Sequence, residues 1–203
     1  MIRRFGESAL LVDAESADRA QALAAALRND LPVGVVEAVP GLASVLVELD
    51  PAGAEPLEVV PALVERLAAL PGTALHGRLH TIRVTYDGPD LDEVAAIAGI
   101  TPAEVVAAHA GTELRVLFCG FAPGFAYLGD LPPSLHVDRL ATPRTHTPAG
   151  SVAIAGRMSG IYPADLPGGW RVIGHTDVTL FDPRRDPPVL LLPGDRVRFH
   201  QIA

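Results

Sequence analysis

The 203 residues carry 24 acids against 16 cationic side chains, every one of the latter an arginine, for a net charge of -8. An acidic chain without lysine excludes nucleic acid as a partner and removes a P-loop lysine, a Schiff-base nucleophile and a biotin-attachment site. No run approaches the roughly 20 apolar residues that span a bilayer, Met1-Ile2-Arg3-Arg4-Phe5 lacks a secretory apolar stretch, and a single cysteine, Cys119, forms no internal disulfide; these features point to the cytoplasm and to no membrane partner.

The first elements alternate in period. Leu10 to Val12 read as a strand, and Ala20, Leu23, Ala24 and Leu27 then recur on one helical face behind an N-cap at Ser16. Val33 to Val39 and Ser44 to Leu49 are β-branched runs separated by Pro40-Gly41, the pattern of a hairpin. A second helix carries a stripe of Leu57, Val60, Val64 and Leu67, ends at Pro71-Gly72, and precedes a strand over Thr81 to Val84. This order predicts an α+β, ferredoxin-like domain over residues 1–85.

Two short helices follow, Leu91 to Ala98 and Thr101 to Ala110. The second opens on Thr101-Pro102-Ala103-Glu104, a capping box with proline in the first turn. After Gly111 the texture turns all-β: short apolar runs at Leu114 to Phe118, Ser151 to Ala155, Trp170 to Ile173, Val178 to Phe181, Val189 to Leu192 and Arg196 to Phe199 alternate with Gly/Pro turns. The two helices and the β-barrel or sandwich form a second domain, 86–203.

Within it, Gly120 to Thr176 contains three acids (Asp130, Asp138, Asp165), four arginines (Arg139, Arg144, Arg157, Arg171) and three histidines (His136, His146, His175), with Phe121, Phe125, Tyr127, Tyr162 and Trp170 interleaved. Cationic heads and aromatic walls in one stretch suit a small anion, although the same mixture also decorates barrel loops. The loop Gly120 to Gly129 suits either a tight corner or backbone N–H groups aimed at a ligand, the corner being the commoner use. Cys119 reads as a buried thiol and His109 as a core or interface histidine, Ser151 lacks a nucleophile-elbow context, and His76 and His80 flank Gly77 without sharing a face, so no metal site is expected.

The motifs Gly120-Phe121-Ala122-Pro123-Gly124-Phe125-Ala126-Tyr127-Leu128, Thr142-Pro143-Arg144, Pro148-Ala149-Gly150-Ser151, Gly160-Ile161-Tyr162-Pro163, Pro167-Gly168-Gly169-Trp170-Arg171-Val172-Ile173-Gly174-His175-Thr176 and Pro193-Gly194-Asp195 occur in this order. With them the chain resembles the family of the 5-oxoprolinase B subunit, the kinase inhibitor KipI and allophanate hydrolase subunit 1. The resemblance implies a cyclophilin-like β-barrel behind the small α/β domain. It also implies a subunit, inactive alone, of an ATP-dependent hydrolase that opens 5-oxoproline to L-glutamate. Its partners would be a C subunit (KipA-like) and an A subunit (LamB/YcsF-like), with ATP bound largely outside this chain. Two other readings come with the family: an inhibitor docked on a sensor histidine kinase, and half of an allophanate- or urea-processing carboxyltransferase-type site.

5-Oxoproline is a flat lactam with one carboxylate. The resemblance therefore proposes Arg144 as a carboxylate clamp, Ser151 and loop N–H groups as donors to the ring carbonyl, and Tyr127, Tyr162 or Trp170 as a wall. Phe121, Pro123, Gly124, Gly150, His175 and Thr176 complete the candidate shared site, and the catalytic residue is unassigned. The chain departs from the family pattern in Met158-Ser159 for Gln-Thr, Asp130 for Gly, and His175 where arginine is frequent; an imidazole holds an anion less firmly than a guanidinium.

Overall fold

Gly6, at a φ of +70°, turns the first strand, β1 (Ile2–Arg4), back onto β2 (Ala9–Asp13). Helix α1 (Ala17–Asn29) starts where Ser16 accepts a hydrogen bond from the Arg19 N–H (3.3 Å), and it buries Leu23, Ala24 and Leu27. The hairpin of β3 (Val35–Pro40) and β4 (Ser44–Leu49) and the helix α2 (Pro56–Ala68) complete this part. The strand order is β1-β2-β4-β3, antiparallel throughout, with Leu10, Val12, Val45 and Val47 joined to the helices' apolar residues in one core.

The computed structural model describes residues 1–52, 56–69 and 77–202, and divides into two compact units, Met1–His76 and Gly77–Ala203. Two expectations are corrected here. The strand expected to close the ferredoxin-like sheet, β5 (Leu79–Val84), lies in the second unit, where it pairs in parallel with the last strand; β1 occupies the place beside β2. The division therefore falls at 76/77 and not near 86. On α2 the inward residues are Val59 and Leu63, with Val60 half-buried and Val64 52% exposed. The side chains of Leu57 and Leu67, and Pro71-Gly72 and His76 altogether, lie outside the described residues.

In the second unit β5 leads into α3 (Leu91–Ala98) and α4 (Pro102–Ala110). Thr101 Oγ1 accepts from the Glu104 N–H (3.2 Å) while the Glu104 carboxylate accepts from the Thr101 N–H (2.7 Å), forming the predicted box. Strands β6 (Glu113–Cys119), β7 (Ala126–Gly129), β8 (Arg144–Thr147), β9 (Ser151–Ala155), β10 (Met158–Ile161), β11 (Leu166–Gly168), β12 (Arg171–His175) and β13 (Arg196–Gln201) follow. Seven of the unit's strands form one sheet, in the order β12-β9-β10-β7-β6-β13-β5, and β8 pairs with β11. The sheet curls until its two edges touch: Thr85, directly after β5, bridges His175 at the end of β12 through paired backbone hydrogen bonds of 3.0 and 2.8 Å. The runs Val178 to Phe181 and Val189 to Leu192, expected as strands, meet only in the bridge of Phe181 with Val189.

Strand β9 is buried along its whole length because both of its faces are covered. Val152 and Ile154 join the main core with Leu114, Val116, Leu128, Ile173, Val197 and Phe199, while Ala153 and Ala155 face a second cluster of Phe125, Tyr162, Trp170 and Val172. The two-residue period of the strand thus serves two cores at once.

Candidate functional site

The segment Thr85 to Asp90 runs beside β12, and its course is fixed by hydrogen bonds from Gly88 N–H to Ile173 C=O (3.2 Å) and from Asp90 N–H to Val172 C=O (3.0 Å). Gly88 passes so close that a Cβ there would stand 2.3 Å from the Ile173 carbonyl carbon. Between this segment, the β8–β9 connection and β12 lies a cavity of about 360 Å³, lined by Asp87, Arg144, Thr147, Ser151, Gly174 and His175 among others. Three of the sequence-predicted site residues, Arg144, Ser151 and His175, therefore meet in one recess.

Arg144 is half-buried on β8. Its Nη2 donates to Asp90 Oδ1 (2.5 Å), whose other oxygen accepts from the Val172 N–H (2.7 Å). Asp90 stands at the N-cap of α3 but makes no side-chain cap, because both oxygens of its buried carboxylate are used in this way. Arg144 Nη1 is buried without a hydrogen-bond partner among the described residues. Gly150, at a φ of +81°, packs so tightly on Thr176 that an added Cβ would lie 2.3 Å from the Thr176 carbonyl oxygen; the Thr176 N–H in turn donates to Gly150 C=O (2.9 Å). That contact fixes the entry to β9, and with it Ser151. On the other lip, His175 Nδ1 lies 2.7 Å from Asp87 Oδ1.

The remaining candidates form a different group. Tyr162 and Trp170, expected as flat walls, are buried at 2% and 5% exposure; both rings make T-shaped contacts with Phe125, and Trp170 makes a further one with Tyr127. Tyr127 stacks on Phe118 at 4.1 Å between centroids. Burial raises the pKa of both tyrosines, against an opposing pull from Arg139. Phe121, at a φ of +69°, stands exposed at the tip of the β6–β7 turn with Pro123, and touches Phe125 and Tyr162 edge-on. Gly124, at a φ of +85°, abuts Phe181. The Ala122 and Phe125 N–H groups donate within the turn, to Gly120 and Ala122 C=O (2.8 and 3.0 Å), so this loop is a corner between two strands.

The arginines of the basic stretch do not converge either. Arg139 lies over Trp170 (5.9 Å), Arg157 pairs with Asp130, and Arg171 donates to the Asp138 C=O (2.9 Å) and pairs with Glu93 (2.6 Å). Only Arg144 among them lines the cavity. Sequence reasoning missed Asp87 and Asp90; the clue was two acids flanking Gly88-Pro89 directly before a helix, a pattern that reads as turn and cap. Among the described residues there is no cluster of three potential metal ligands, and no helix is long and apolar enough to cross a membrane.

Comparison with known proteins places these features in a family. The family described as carboxyltransferase domain, subdomain C and D, matches residues 1–191. The 5-oxoprolinase B subunit of Escherichia coli O157:H7 is 46% identical over 84% of this chain and 79% of its own. The 5-oxoprolinase B subunit of Bacillus subtilis is 38% identical over 100% and 89%. Among solved structures, TTHA0988 superposes with a TM-score of 0.85 at 37% identity over 100% of this chain, which spans 40% of the TTHA0988 chain. The conserved uncharacterized protein PH0987 of Pyrococcus horikoshii superposes with a TM-score of 0.60 at 38% identity over 100% of this chain and 97% of its own. The Kluyveromyces lactis urea amidolyase, 21% identical with a TM-score of 0.82 over 15% of its length, shares the fold. The chain belongs to the carboxyltransferase subdomain C and D family, the family that also contains the bacterial 5-oxoprolinase B subunits.

Proposed function

We propose that this chain is the B-type subunit of an ATP-dependent 5-oxoprolinase, which opens 5-oxoproline to L-glutamate in the cytoplasm together with C-type (KipA-like) and A-type (LamB/YcsF-like) subunits. The observation that carries the reading is the cavity beside β12, which brings Arg144, Ser151 and His175 together in a chain 38–46% identical to proteins named as 5-oxoprolinase B subunits. A single guanidinium in a recess of about 360 Å³ suits a small ring bearing one carboxylate. Arg144 offers the cavity's one guanidinium among the described lining residues, and Asp90 holds it in place through Nη2. The Ser151 hydroxyl is a candidate donor to the ring carbonyl. A chain without lysine supports an ATP site built mainly by the partners. The same reading takes the curled sheet of residues 77–202 as the cyclophilin-like module, supported by the seam at Thr85 and His175.

Co-expression with the A- and C-type subunits, followed by an ATP-dependent assay of glutamate release from 5-oxoproline, tests the reading. Activity is expected only with all subunits present, and undiminished activity without this chain overturns it. Within the complex, Arg144→Gln is expected to raise the KM for 5-oxoproline about 10- to 100-fold, the loss of one charge-assisted hydrogen bond. An unchanged KM removes Arg144 from the carboxylate role.

A further inference from the structure

His175 is held from two directions. Its backbone N–H donates to Thr85 C=O (2.8 Å) and its C=O accepts from the Thr85 N–H (3.0 Å), so the residue sits in the barrel seam and not at a loop tip. Its Nδ1 lies 2.7 Å from Asp87 Oδ1. A carboxylate at that nitrogen keeps the ring proton there and leaves Nε2 as the acceptor. Because both main-chain groups of His175 point to Thr85, it faces Ser151 on β9 as a non-hydrogen-bonded pair, the kind whose side chains come closer. Asp87, His175 and Ser151 line the same cavity as Arg144.

We propose that His175 is the proton-transfer residue of this cavity, oriented by Asp87 and acting beside the Ser151 hydroxyl; the proposal rests on the 5-oxoproline reading of the site. Nε2 takes a proton from a water molecule as the water oxygen bonds to the ring carbonyl carbon. When the ring C–N bond breaks, its electron pair stays on nitrogen, and the imidazolium returns the proton there. The ring opening consumes one water, exchanges no electrons and returns His175 to its starting state; the ATP that the complex couples to it is cleaved with a second water to ADP and phosphate. This assigns the position a different task from the anion contact expected of a residue standing where arginine is frequent. A base must be neutral when the step begins, whereas an anion contact must be charged.

The charged surroundings suit that task. Across the cavity the positive charge of Arg144 is paired with Asp90, and Asp87 lies on the imidazole itself. An adjoining recess of about 290 Å³, which His175 also lines, contributes Arg83 and Asp177. The side chains of His175 and Asp87 are 50% and 58% exposed, so substitutions there leave the cores intact.

Steady-state kinetics of the full complex against pH test the proposal. His175→Gln is expected to lower kcat about 100-fold or more, with KM held within about threefold, and to remove the acid limb of the kcat profile. Asp87→Asn is expected to lower kcat without moving KM, and Asp87→Glu to restore part of the loss, a rescue that a purely structural role does not give. A His175→Gln complex that keeps its kcat and raises KM overturns the proposal in favour of anion binding. A wild-type complex that releases no glutamate overturns the 5-oxoprolinase reading and this proposal together; an active wild type with an equally active His175→Gln overturns this proposal alone. If His175→Gln fails to assemble with its partners, the Asp87→Asn and Asp87→Glu pair decides by the same kcat readout.

Discussion

His109 on α4 is fully buried, stacked on Phe199 at 4.5 Å, and tied into a chain of hydrogen bonds. Ser159 Oγ donates its proton to Ala153 C=O (3.2 Å), so His109 Nε2 must donate to Ser159 Oγ (2.9 Å), and Nδ1 is left to accept from the Tyr86 hydroxyl (2.7 Å). Burial lowers the imidazole pKa to about 3 and raises that of Tyr86, so both stay neutral. The unfolded chain takes up this proton near the ordinary histidine value of about 6.5, well before the folded chain does. Between those limits the unfolded state binds more protons, so acidification destabilises the fold, by at most about 1.4 kcal/mol per pH unit from this group. Urea unfolding midpoints measured from pH 6.5 downward should therefore fall. His109→Gln, which keeps one donor and one acceptor, should flatten that slope. The sequence placed His109 on a capped helix as a core or interface residue, and the fold puts it in the core. Its partners, 23 and 50 residues away, were hidden because nothing local links them.

Where elements carry their own start and stop chemistry, they were legible. Ser16 and the Thr101–Glu104 box fixed α1 and α4 because a cap satisfies backbone N–H groups within a few residues. Thr101→Ala removes the acceptor for the Glu104 N–H and is expected to cost about 1 kcal/mol, readable as a lower urea midpoint; an unchanged midpoint means the helix start is held by packing alone. Short strands were less legible. Tyr127 and Leu128 sit inside a motif dense in glycine and proline, so β7 was read as part of the loop it leaves. The runs at Val178 and Val189 had the right residues for strands and found no sheet edge to join, since β5 and β12 already meet at the seam.

For the molecule as a whole, the core of the first unit shares no residue with either cluster of the second, which accounts for the two units. Leu128 stands fully buried in the larger one, and Leu128→Ala should destabilise the second unit by about 2–5 kcal/mol. The one tryptophan, Trp170, lies in that unit, so its fluorescence transition reports the change; a shift below about 1 kcal/mol would mean the core collapses onto the gap. The cavity is a product of this level too. Residues near 87–90, 144–151 and 172–175 reach one recess only because the sheet curls until Thr85 meets His175.

The order of most elements, the caps, the absence of lysine chemistry and the family motifs could all be read directly along the chain, because each is written within a few neighbouring residues or one continuous run. Folding was needed to reveal that β5 leaves the first sheet for the second, that Tyr162 and Trp170 pack inward, and that Arg144 meets Asp90 while His175 meets Asp87. Those pairings depend on strand neighbours and on charges brought from 54 and 88 residues away, and separation along a chain does not specify contact across a sheet.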